Sequence, residues 1–200
     1  MAYQRKDHFY RKAKAEGRRS RAAFKLDELL DRFRLARPGD AVLDFGAFPG
    51  GWTETLSRTV GRQGLVIAVD LKPMPGVAAP NIRILEGDAT SPEIAAKVSE
   101  LLSGRPVDAV FSDAAPNLTG VHHADYARSQ QLTLDLMQAG LRFLRPGGHF
   151  CAKVFPGATP HELVSEAKRH FRDVRMTRPK ATRQESAELY LVAREKRDGP

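Results

Sequence analysis

Seven short apolar runs, separated by stretches of helical length, constrain this chain more tightly than any other feature. The runs lie at 41–44, 65–70, 82–86, 107–112, 149–155, 174–177 and 189–194. Helical patterns intervene near 51–60, 92–103, 125–144 and 161–171. A further one covers 21–35, with Phe24, Leu26, Leu29, Leu30 and Phe33 near one face. Apolar strands alternating with helices predict an α/β fold: a seven-stranded, mostly parallel sheet with helices on both faces. The last two runs lack a full crossover helix between them, so at least one of them is expected to be antiparallel. Local signals agree. Arg37-Pro38-Gly39-Asp40 ends the first helix, whereas Ser91 as N-cap, Pro92 and Glu93 start another.

Charge is distributed unevenly along this framework. Residues 1–25 hold nine Lys/Arg against Asp7 and Glu16, so nearly all of the net charge of +8 sits there. Tyr3, Phe9 and Tyr10 are interleaved with that charge. Such a segment can neutralise phosphates and stack on bases. A solvated tail accounts for the charge as well, but the run leads straight into the helix bearing Lys25, which favours nucleic acid. Residues 1–20 are therefore expected to form a basic RNA-binding arm, and 21–200 a single domain. A membrane-surface role fits less well, because the arm lacks a broad apolar face. No apolar run nears the roughly 20 residues of a bilayer span, and the basic N-terminus lacks the apolar core of a secretory signal. The single cysteine, Cys151, cannot form an internal disulfide. A cytoplasmic location is the expectation.

Chemistry concentrates at the predicted strand ends, the edge where open α/β sheets bind their ligands. Lys153 interrupts a buried run between Phe150-Cys151-Ala152 and Val154-Phe155. Lysine is rarely buried unpaired. A structural ion pair with Asp113 or Glu188 would explain it; so would a reaction. Lys25 alone reads as one more helix-surface cation. The turn Asp44-Phe45-Gly46-Ala47-Phe48-Pro49-Gly50-Gly51-Trp52 opens a helix and lets backbone approach a ligand closely at Gly46, Gly50 and Gly51. It is neither the G-x-G-x-x-G fingerprint nor a P-loop, which argues against a nicotinamide-dependent oxidoreductase. Acids follow three successive strands. Asp44 ends the first, or caps the next helix; Asp70 ends the second, placed for a ribose diol; Asp88 follows the third, placed for an adenine amino group. That set suits a cofactor with a positive centre and an amino-acid moiety. Trp52 reads in part as core. His122-His123, read as a loop, has no third ligand in sight, and no metal site is expected.

Several of these segments occur together in one known family. Arg19-Ser20-Arg21-Ala22-Ala23-Phe24-Lys25-Leu26, Pro49-Gly50-Gly51-Trp52, Ser112-Asp113-Ala114-Ala115-Pro116-Asn117, Lys153-Val154-Phe155 and Glu188-Leu189-Tyr190-Leu191-Val192-Ala193 stand in the family's order. The chain resembles the FtsJ/RrmJ family of S-adenosylmethionine-dependent ribose 2′-O-methyltransferases from about Tyr10 to Arg194. The resemblance implies a Rossmann-like class I methyltransferase fold and a uridine of 23S ribosomal RNA as substrate, within the large ribosomal subunit. No amphipathic segment is left over for a dimer interface, so a monomer is expected. The resemblance carries a Lys-Asp-Lys-Glu tetrad onto Lys25, Asp113, Lys153 and Glu188. Strand phase favours Glu188 over the nearby Glu185. It carries cofactor contacts onto Gly50, Trp52, Asp70, Asp88 and Asp113, beside the Asp44 and Gly46 of the glycine turn. Phe45, Phe48 and Pro156 depart from the family pattern. In this reading Lys153 is a general base or, kept cationic, a stabiliser of alkoxide charge. Transfer RNA or a messenger RNA cap as substrate, or a non-catalytic RNA-binding factor in ribosome assembly, are the competing readings. The intact tetrad argues against the last.

Overall fold

The computed structural model describes residues 19–20, 22–116, 119–120, 122–155, 161–182 and 188–199, without the side chain of His122. All but the last two residues of the expected basic arm lie outside that set, as do Asn117, Pro156 and Glu185. The chain runs α1 (Ala22–Phe33), β1 (Ala41–Phe45), α2 (Gly51–Val60), β2 (Leu65–Asp70), β3 (Ile82–Glu86) and α3 (Pro92–Leu102). Then follow β4 (Val107–Ser112), α4 (His122–Leu141), β5 (Leu144–Val154), α5 (His161–His170), β6 (Phe171–Thr177) and β7 (Leu189–Lys196). Ser91 caps α3 as expected, accepting a hydrogen bond from the Ile94 amide at 3.2 Å.

The strands form one seven-stranded sheet in the order β3-β2-β1-β4-β5-β7-β6. β1 to β5 pair in parallel, and β7 lies antiparallel to both of its neighbours. The expected antiparallel strand is thus β7, inserted between β5 and β6. Two expectations need correction. β5 begins at Leu144, ahead of the run at 149, because Val107 pairs with Leu144 before a register shift absorbs Pro146-Gly147-Gly148. His122-His123 opens α4 rather than lying in a loop.

Both faces of the sheet are covered, which explains the unbroken apolar runs. Alternate residues of one strand point to opposite sides. Leu43, Phe45, Ile67 and Val69 pack with Ile94 of α3, Met137 of α4 and Leu163 of α5. Val42, Val66 and Ala68 pack with Leu26 and Leu29 of α1 and Leu56 of α2. Burying each large side chain of this kind contributes roughly 1.5–3 kcal/mol. No helix among the described residues is long and apolar enough to cross a membrane.

The connection from β1 leads outward to β2 and β3, while β4 and β5 lie on its other side. That reversal opens a crevice above the carboxyl ends of β1, β2 and β4, the usual ligand position in such sheets.

Candidate active site

The crevice is shaped first by glycine. After β1 the chain turns sharply at Gly46, with φ at +71°, and enters α2 through Gly50, with φ at +99°. A Cβ on Gly46 would lie 2.5 Å from that of Ala114, and one on Gly50 would collide with Val77. Only glycine meets both demands.

Above this turn lies a cavity of about 510 Å³, within the range of small-molecule and cofactor sites. Gly46, Phe48, Asp70, Asp88 and Asp113 are in its wall. Asp70 accepts hydrogen bonds from the amides of Phe48 and Lys72, each at 2.8 Å. Asp88 is held by the amide and hydroxyl of Thr90, both at 2.8 Å. Phe48 is 46% exposed at the mouth, with the Lys72 ammonium 5.3 Å from its ring centre.

Asp44 does not cap α2, whose N-cap is Gly50. Its carboxylate is fully buried and accepts from the Thr53 hydroxyl at 2.6 Å through Oδ2. Oδ1 has no hydrogen-bond partner among the described residues. Burial pushes its pKa up to about 7 against the Thr53 hydrogen bond, with the nearby charges of Asp113 and Asp70 pushing the same way. Three carboxylates in the wall suit a cationic ligand. Gly50 and Trp52, expected as ligand contacts, are not in the wall. Trp52 is buried, stacked on Tyr190 with centroids 5.8 Å apart, and its indole N–H donates to Ala22 O at 3.0 Å.

The tetrad residues meet as two pairs. Asp113 directly follows β4, and Lys153 lies near the end of the neighbouring β5. The Lys153 ammonium stands 3.2 Å from Asp113 Oδ1 and donates to the Asp113 backbone carbonyl at 2.5 Å. Lys25 of α1 and Glu188, just before β7, form a buried ion pair across 163 residues of sequence. The reading of Lys25 as a surface cation is therefore overturned, since only 6% of the residue is exposed.

Tyr190 joins the pairs, and sequence reasoning passed it over. β5 and β7 pair Lys153 with Tyr190. The phenol donates to Asp113 Oδ1 at 3.1 Å, and the Lys25 ammonium stands 6.0 Å from the centre of its ring. Burial, then the charges of Asp113 and Glu188, push its pKa well above the ordinary phenol range, so it acts as a donor and not a base. The available signal was strand phase: Glu188 and Tyr190 are two residues apart and share a face.

At the arm's end, Arg19 pairs with Glu54 of α2 at 2.6 Å and donates to the Gly76 carbonyl. Arg19 is thereby tied to the fold beside the glycine turn.

Comparison with known proteins follows this geometry closely. Residues 18–196 match the model of the FtsJ-like methyltransferases. The ribosomal RNA large subunit methyltransferase E of Syntrophobacter fumaroxidans is 42% identical, over 96% of both chains. The Methanothermobacter thermautotrophicus protein of the same description is 41% identical, over 98% of this chain and 92% of that one. A crystal structure from Plasmodium falciparum, described as a ribosomal RNA methyltransferase, superposes with a TM-score of 0.79. It is 29% identical and the match covers 89% of this chain and 98% of that one.

Proposed function

The chain belongs to the FtsJ-like methyltransferase family, and on that premise we propose that it methylates the ribose 2′-hydroxyl of a uridine in large-subunit ribosomal RNA. The methyl donor is S-adenosylmethionine. The observation that carries the reading is Asp113: the residue is in the cavity wall, and its carboxylate binds the Lys153 ammonium and the Tyr190 phenol. The relatives' descriptions support ribosomal RNA over transfer RNA or a messenger RNA cap.

The residues present fit this donor. Asp70, in the cavity wall, would accept from ribose hydroxyls and Asp88 from the adenine amino group, and Gly46 leaves room for backbone approach. Asp113 in the wall supplies negative potential for a cationic sulfur. When bound, the donor supplies an electrophilic methyl group to an incoming nucleophile.

The chain must then hold a ribose hydroxyl in line and manage its proton, and positioning supplies much of the rate. Lys153 is the residue for that proton. In its neutral form it accepts the proton as the oxygen–methyl bond forms. In its cationic form it offsets the developing oxyanion while the proton passes to solvent. Asp113, itself held by the Tyr190 hydroxyl, fixes the lysine's position, and Lys25 with Glu188 orients the ribose. Residues 1–20 serve as a basic arm on the RNA backbone.

The test is direct. Protein is incubated with methyl-labelled donor and, separately, naked large-subunit RNA, isolated large subunits, transfer RNA and capped messenger RNA. Label resistant to alkaline cleavage and mapped to one uridine of the large-subunit RNA is expected. Label on a base, or only on transfer RNA or cap, would overturn the assignment.

A further inference from the structure

A second cavity, of about 280 Å³, opens at the opposite edge of the sheet, where β1, β4 and the paired part of β5 begin. It has no part in the chemistry above. Its wall holds Arg34, Arg37, Asp40, Asp108, Arg145 and His149, with Glu195 beside them.

The acids there are largely committed. Asp108 binds Arg145 Nε at 2.7 Å through one oxygen and the Ala41 amide at 2.8 Å through the other. Asp40 accepts from the Arg37 amide at 2.8 Å, closing the turn that follows α1. The Glu195 side chain is exposed and screened by solvent.

Two of the donors are not committed. Neither the Arg34 nor the Arg37 guanidinium makes a hydrogen bond or ion pair among the described residues. Arg34 occupies the left-handed position, φ 53°, that closes α1 through a hydrogen bond from its amide to Leu30 O. Glycine is the usual residue at such a position; here a long cationic side chain stands there instead. His149 adds a third donor. Its Nδ1 accepts from the Glu195 amide at 3.3 Å, so the neutral ring carries its proton on Nε2. Burial, followed by the charges of Arg145, Arg194 and Arg37, depresses the pKa of this imidazole against the opposing charge of Glu195.

We propose that this cavity binds a phosphate group, held by the Arg34 and Arg37 guanidiniums and the His149 Nε2–H. Planar guanidiniums match phosphate geometry, and two of them in a walled pocket form a site rather than a diffuse patch. The phosphate belongs either to the backbone of bound RNA or to a free nucleotide.

His149 is the natural reporter. The full chain is followed by NMR through the His149 imidazole resonance, identified by its loss in His149→Gln. Inorganic phosphate, uridine monophosphate and a short RNA oligonucleotide are titrated separately at constant ionic strength. Saturable displacement of that resonance is expected, at least tenfold weaker in the Arg34→Ala/Arg37→Ala double variant. Circular dichroism checks that the variant stays folded; both positions are exposed, so the fold should hold. Tighter saturation by the oligonucleotide assigns the site to RNA backbone, and tighter saturation by the mononucleotide assigns it to a small ligand. No saturable shift with any probe, or unchanged affinity in the folded double variant, overturns the proposal.

Discussion

Replacing Asp44 by asparagine should flatten the dependence of stability on pH. In the unfolded chain this carboxyl ionises around 3.8, whereas in the folded protein burial holds it protonated up to about 7. Between those values the folded state binds a proton that the unfolded state has released, so stability falls as pH rises. The loss begins above the unfolded value and is complete just above the folded one. At 1.36 kcal/mol per pH unit, the interval corresponds to about 4 kcal/mol. Asparagine copies the neutral acid, since its carbonyl still accepts from the Thr53 hydroxyl. Urea unfolding at pH 4, 5, 6, 7 and 8 measures the effect, provided that the m-value stays constant. Other titrating groups cancel in the difference between the two proteins. Relative to wild type, Asp44→Asn should gain about 4 kcal/mol between pH 4 and pH 8. Parallel curves would show that Asp44 ionises normally and that the buried-acid reasoning is wrong.

Three further outcomes are expected. Tyr190→Phe removes a hydrogen bond to a charged group; a net worth of about 1.5–3 kcal/mol should slow methyl transfer roughly ten- to hundredfold, with donor affinity by calorimetry unchanged. Lys25→Met leaves the Glu188 carboxylate buried without its ammonium and should cost about 3–5 kcal/mol in urea unfolding, while Lys25→Met/Glu188→Leu should recover part of that loss. Gly46→Ala forces a side chain into a left-handed turn and against Ala114; it should weaken donor binding and destabilise the fold by about 1–3 kcal/mol.

Much of this molecule was legible in its sequence, for identifiable reasons. β1, β2 and β4 are covered on both faces, so they read as unbroken apolar runs, and four strand and helix spans fall where the pattern places them: Leu65–Asp70, Ile82–Glu86, Val107–Ser112 and Gly51–Val60. Lys153 stood out because a cation inside such a run demands a partner, and Asp113 provides one. Other features depended on the third dimension. Strand order is not written locally, so β7's place between β5 and β6 became visible only in the sheet. Pro146-Gly147-Gly148 carries turn chemistry, yet a register shift lets it sit within β5. Tyr190 was hidden because a buried aromatic in a strand is ordinary core, and its hydroxyl's partner is 77 residues away. Asp44 looked like a cap or a ligand. Its position on a central strand instead buries it, with one oxygen left without a partner.

The account rests most heavily on Lys153, and Lys153→Ala tests it in one experiment. Methyl incorporation into large-subunit RNA is measured beside donor affinity and the urea midpoint. Loss of incorporation, with the donor still bound and the fold retained, is the predicted result. Undiminished turnover in that variant would contradict the proposed chemistry and leave the Lys153–Asp113 contact a purely structural ion pair.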